Sequence, residues 1–172
     1  MGRRELLVAT MEQAYARLRG RLDGVDDEEF FWKPVPDAWT IYEDLPGHWT
    51  YNYAIPDPNP APLTTVAWQV VHLGTTRLMY HEHGYGAAKL TFPDIAIPHS
   101  VAAATQLLAE GYAVLRADLE LETEDGLDKE RKTNWGELWP AWRIFTTMTD
   151  HDALHTGAIG NLRDMYYWTT RG

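Results

Sequence analysis

The feature that most constrains this chain is a pair of histidines set into the apolar face of a long helical stretch near its C-terminal end. Ile144, Phe145, Met148, His151, His155, Ala158, Ile159, Leu162 and Tyr166 recur at intervals of one, three or four, so they share one side of a helix. A face of that length has to be buried against other helices. His151 and His155 stand one turn apart in the middle of it and can aim ring nitrogens at one shared point. A single buried histidine is satisfied by a carbonyl or a water. Two stacked ones need more, because burying both without partners costs a few kcal/mol, and a divalent cation satisfies both directly. Two imidazoles cannot hold a zinc ion alone, so a third ligand has to come from elsewhere in the chain.

Composition limits where that ligand can come from. The chain has 172 residues, enough for a sizeable core but short for two, so residues 1–172 are read as a single domain. Cysteine is absent, which leaves histidine and carboxylate as ligands and removes disulfides and protein thiols. The opening MGRRELLVATMEQAY turns polar too soon for the apolar core of a signal peptide, and no run approaches a membrane span. A cytoplasmic protein with no membrane partner is expected. A formal charge of −10 works against binding a phosphate backbone. The basic cluster Arg17, Arg19 and Arg21 is flanked by Glu12, Asp23, Asp26 and Asp27, so it reads as a solvated helix face and no nucleic-acid partner is expected. Eight tryptophans and nine tyrosines are a density that packs a core, but several fall in loops, where they point to a pocket or an interface.

Three more long helices follow from the periodicity. Leu6, Leu7, Met11, Ala14, Tyr15 and Leu18 define one over residues 3 to 22, and Asp26 or Asp27 can cap a short turn through Trp32. Prolines at 34, 36, 46, 56, 58, 60 and 62 forbid a helix in the next segment, which also carries Trp39, Tyr42, Trp49, Tyr51 and Tyr53. We read it as a long irregular cover over one end of the core; closing a helix end or meeting a second subunit is an equal alternative. His48 lies there without a partner at ligand spacing. The second long helix opens at Thr64 or Thr65 and runs to about His83, with Trp68, His72, Thr75, Thr76 and Met79 on its inward face. His72 is therefore the candidate third ligand. His81 and His83 project to nearly opposite sides of that helix and read as exposed. Ser100 caps a third helix reaching Leu119, residues 120 to 132 read as a solvated helix end and loop, and the last helix runs from about Pro140 to Trp168. Gly157 and Gly160 inside that helix suggest a close backbone approach.

Four amphipathic helices with three inward histidines on two of them describe a four-helix bundle with a metal site between facing helices. Three neutral imidazoles leave a fourth position for a water or a substrate donor atom. Asp150 and Asp152 lie about 100° from His151 around the helix, and no Glu, Asp or Tyr is tied to the histidines by spacing as a general acid or base. A competing reading takes His-Asp-x-x-His as a variant of the zinc-peptidase motif with Asp152 as general base, although aspartate is a methylene short.

The segments AWQVVHLG around His72, HDALHTGAIGNLRDMY from His151 and FWKPVPDAWT after the first helix resemble the DinB superfamily, the DinB/YfiT-like damage-inducible bundle proteins. The resemblance covers nearly the whole chain. It implies an all-α, up-down-down-up four-helix bundle, often a homodimer, with His72, His151 and His155 as a metal triad for zinc, nickel or a similar divalent ion. Relatives include transferases and isomerases that use low-molecular-weight thiols such as mycothiol or bacillithiol, held on the metal as thiolate. An oxygen-using branch that makes thiohistidines carries His-x-x-x-His-x-Glu; Gly157 occupies the last position here, which sets that iron chemistry aside. The segment from Tyr42 to Pro62 has no counterpart in the pattern. The expected function is that of a metal-dependent S-transferase or hydrolase acting on a small molecule, with Trp49, Tyr53, Trp68 and Thr147 at the substrate. The alternative is a non-catalytic bundle that binds a metal or a small ligand.

Overall fold

The four amphipathic stretches fold as α1 (Arg3–Leu22), α3 (Val66–Gly84), α4 (Val101–Leu121) and α5 (Ala141–Thr170), with a five-residue α2 (Asp27–Phe31) after α1. The structure is a computed structural model that describes residues 1–56 and 58–170; Asp57, within the 42–62 segment, and the last two residues of the 1–172 domain lie outside the described residues. Side-chain caps start three of these helices. Asp26 accepts from the Glu29 amide at 2.8 Å, Thr65 from the Trp68 amide at 3.1 Å and Ser100 from the Ala103 amide at 3.3 Å. Pro140 immediately precedes α5, where its missing N–H costs the helix nothing.

The long helices bury their apolar faces against one another. α3 lies along α4 and α5, and α1 along α5 and α4. Leu18, Val70, Leu73, Leu108 and Ile159 anchor one core cluster, and Met11, Leu115, Leu119, Phe145 and Met148 a second. Burying a side chain of that kind contributes about 1.5–3 kcal/mol. α3 and α4 approach most closely at Gly74 and Gly111: a Cβ on Gly111 would stand 2.9 Å from the Gly74 carbonyl oxygen, and one on Gly74 would stand 2.9 Å from Leu107. α3 and α5 are opposed, since His72 meets His151 while Gly84 faces Ile144.

Several sequence expectations need correction. The proline-rich segment is not irregular throughout: β1 (Ile41–Leu45) and β2 (His48–Tyr51) form an antiparallel hairpin with Ile41 opposite Tyr51. The prolines exclude a helix but leave these two short runs free, and both are rich in the β-branched and aromatic residues that suit strands. Pro46 and Gly47 make the turn, with Gly47 at φ +79°. A second hairpin, β3 (Glu130–Lys132) with β4 (Leu138–Pro140), occupies the stretch between α4 and α5 where only a charged loop was expected. His81 and His83 are half-buried, bonded to Asp118 at 2.6 Å and to the Leu90 carbonyl at 2.9 Å, and His48 pairs with Asp44. Gly157 faces open space and Gly160 meets only the Arg21 side chain, so the close backbone approach lies between α3 and α4 and not on α5.

The chain leaving the first hairpin is tied down on the start of α3. Asn52 takes the Thr40 amide on its side chain at 2.8 Å, and its carbonyl accepts from the Trp68 indole N–H at 2.7 Å. The Trp39 amide donates to the Leu63 carbonyl at 2.8 Å, and the Thr65 amide to the Trp39 carbonyl at 2.9 Å. Among the described residues, no helix is long and apolar enough to cross a membrane.

Candidate metal centre

The opposed packing of α3 on α5 brings His72 against His151 and His155. The His72 and His151 Nε2 atoms are 3.1 Å apart, and those of His151 and His155 are 2.9 Å apart. All three side chains are half-buried, and they are the group of potential ligands found within reach of one another among the described residues. The donor set fits a divalent ion. Imidazole nitrogens about 2.0–2.1 Å from a common metal stand about 2.9 Å apart at right angles and about 3.4 Å apart in a tetrahedron. Both observed separations fall in that range. Three neutral nitrogens leave room for a further ligand, and among the described residues no carboxylate joins the cluster.

Burial keeps these rings neutral. It pushes His72 down to about 3, with the neighbouring His151 adding to the shift. His151 falls to about 4, through burial first and then the Arg77 guanidinium. His155 is lowered further still, by burial, the other two histidines and Arg77. Neutral imidazole is the form that ligates a metal. The Trp68 ring stacks on His72 at 4.6 Å with a 10° tilt, forming an apolar wall behind it. The Nδ1 atoms of His72 and His151 are buried with no hydrogen-bond partner among the described residues, whereas His155 Nδ1 meets the Gln69 side-chain oxygen.

Two clefts open on the centre and share His72 and Tyr53. One, of about 300 Å³, is walled by Trp39, Pro62, Thr64, Trp68 and Gln69. The other, of about 220 Å³, reaches His151 past Thr76, Asn134, Trp135 and Thr147. Of the residues that sequence reasoning placed at the substrate, Tyr53, Trp68 and Thr147 line these clefts. Trp49 lines neither; it stacks on His99 at 4.8 Å.

Asp152, the general base of the peptidase-like reading, is committed elsewhere. It is buried and ion-paired with Arg77, itself inaccessible to solvent. Burial raises the Asp152 pKa and outweighs the opposing pull of Arg77. Gln69, Arg77 and Asn134 were missed from sequence. Arg77 carried a signal, as the one Arg or Lys within Val66–Gly84, and so did Gln69, one turn before His72 on the same face.

Comparison with known proteins agrees with this architecture. A crystal structure described as the conserved protein of locus from Enterococcus faecalis superposes with a TM-score of 0.59 over 96% of this chain and 97% of that one, at 15% sequence identity. Likeness at that identity speaks for the fold. No curated protein matches the chain. The profile of the DinB superfamily matches residues 10–159, a span that runs from α1 through all three clustered histidines. The chain belongs to the DinB superfamily.

Proposed function

We propose that His72, His151 and His155 hold one divalent metal ion, zinc or nickel, and that the protein is a metal-dependent S-transferase acting on a small molecule. The convergence of three neutral Nε2 atoms on one point carries this reading. Such an ion lowers the pKa of a thiol or a water in the remaining position. The chain's own residues hold and shield that position. Trp68 backs His72, Tyr53 lines both clefts, and Trp39 and Trp135 give each cleft an aromatic wall. Among the described residues lining either cleft there is no carboxylate to act as a general base. A hydrolase has to activate its water with such a group or with the ion alone. A thiol with a pKa of about 8.5 would be held by such an ion as thiolate, its proton passing to solvent, and that is the chemistry S-transfer needs. A low-molecular-weight thiol such as mycothiol or bacillithiol is the cosubstrate class proposed.

The four long helices form one up-down-down-up bundle domain in this reading. Its support is the pairing of Gly74 with Leu107 and His81 with Asp118 in the same sequence order, and of Tyr15 with Tyr112 and Glu12 with Arg116 in reversed order. A homodimer is the assembly proposed, joined through the exposed Leu154, Met165 and Trp168 on one side of α5; sedimentation at several concentrations tests it.

Elemental analysis of protein purified without an affinity tag or chelator tests the metal, with the His72→Ala, His151→Ala and His155→Ala variants alongside. About one ion per chain in the parent, and a sharp fall in each variant, is expected. A parent that takes up no zinc or nickel on reloading sinks the proposal. A loaded protein inactive with every thiol tried leaves the binding site and removes the enzyme.

A further inference from the structure

The three histidines are not equally held. His72 and His151 have buried Nδ1 atoms without partners among the described residues, while His155 Nδ1 meets the Oε1 of Gln69. Gln69 lies on α3 one turn before His72 and is 6% exposed. Its carboxamide is engaged at both ends, because Nε2 donates to the Thr64 hydroxyl at 2.6 Å. Thr64 in turn pairs through a β-bridge with Trp39, at the root of the first hairpin.

We propose that Gln69 is a positioning residue that holds His155 as its Nδ1–H tautomer, so that the Nε2 lone pair faces His72 and His151. An amide oxygen at Nδ1 requires a hydrogen there, and a neutral ring then has none on Nε2. The reverse tautomer would spend its Nε2–H on the His151 Nε2 atom 2.9 Å away, closing that nitrogen to an ion, and would face Oε1 with a lone pair. Gln69 does without charge what a carboxylate does behind many metal-bound histidines: it fixes the ring's rotation and proton position before any ion arrives. Among the described residues neither His72 nor His151 has such a support, so the orienting effect is concentrated on one ligand.

Part of the test rests on the metal-binding reading and part does not. In metal-free protein labelled with 15N-histidine, long-range 1H–15N correlation should show His155 as the Nδ1–H tautomer, and Gln69→Met should abolish that single-tautomer pattern while leaving the helical circular dichroism unchanged. Gln69→Glu should keep it. In zinc competition against a chelator, Gln69→Met should bind about 10–100-fold more weakly than the parent, and Gln69→Glu should recover the loss. A parent His155 carrying its proton on Nε2, or a Gln69→Met protein with unchanged tautomer and unchanged zinc affinity, overturns the inference. If the parent binds no zinc, the metal reading fails by itself and the tautomer spectra still decide the role of Gln69.

Discussion

Arg77 on α3 and Asp152 on α5 form an ion pair sealed from solvent, their side chains 0% and 2% exposed, directly beside the histidine cluster. The same guanidinium donates to the Leu108 carbonyl of α4 at 3.2 Å and lies 5.3 Å from the Tyr15 ring of α1. This α3 side chain thus reaches all three of the other long helices.

Removing one partner strands the other as an uncompensated buried charge. Arg77→Met or Asp152→Leu should each lose about 3–5 kcal/mol in urea denaturation, whereas the double variant should recover most of that loss. Single variants within about 1 kcal/mol of the parent would show that the pair carries no such weight.

Glycine substitutions should split by location. Gly111→Ala pushes a Cβ toward the Gly74 carbonyl and Gly74→Ala pushes one toward the Leu107 backbone, so each should cost about 1–3 kcal/mol. Gly157→Ala meets nothing within 4 Å in a helix interior and should gain about 0.5–1 kcal/mol. Thermal melts of the three proteins check the sign of each change.

Acid should destabilise the metal-free protein through its histidines. Their folded pKa values lie below the ordinary 6.5, at about 3 for His72 and about 4 for His151. Between those limits the unfolded chain takes up protons that the folded one refuses, so stability holds above pH 6.5 and falls as pH drops toward 4. The expected slope is about 1 kcal/mol per pH unit for each histidine. Urea midpoints at pH 7.5, 6.0 and 5.0 should show it, with a shallower slope after His72→Leu.

Zinc should stabilise the parent alone. At free zinc about 100-fold above Kd the linkage is about 2.7 kcal/mol, or roughly 5–10 °C in Tm for a chain of this size. Differential scanning calorimetry should register that rise, its reversal by a chelator, and no rise in the triple alanine variant of His72, His151 and His155.

What could be read from residues alone was whatever repeats locally. The start of α4 followed from Ser100 and that of α3 from Thr64 or Thr65, each ahead of an apolar stripe, and the inward side of α3 singled out His72 before any packing was known. Pairings between distant strands and charges could not be read that way. Proline showed that residues 34–62 were not helical, but the Ile41–Tyr51 register depends on cross-strand contacts, and that hairpin carries Trp49 to His99. Arg77 and Asp152 are 75 residues apart, so their pairing is invisible in either helix alone. Gly74 appears in sequence as a mild helix defect, and only the neighbouring α4 shows why it is small.

The ties at Asn52 and Thr65 give the arc between them a particular freedom. Both attach to the start of α3, and the arc supplies Tyr53 and Pro62 to the larger cleft, while every clustered histidine comes from α3 or α5. Ahead of Leu63 and Thr64, which hold Trp39 and Gln69, its sequence can therefore drift without touching the helices that carry the three histidines. Selection can rewrite what the larger cleft admits by editing one contiguous stretch of the gene, while the histidine cluster is inherited intact.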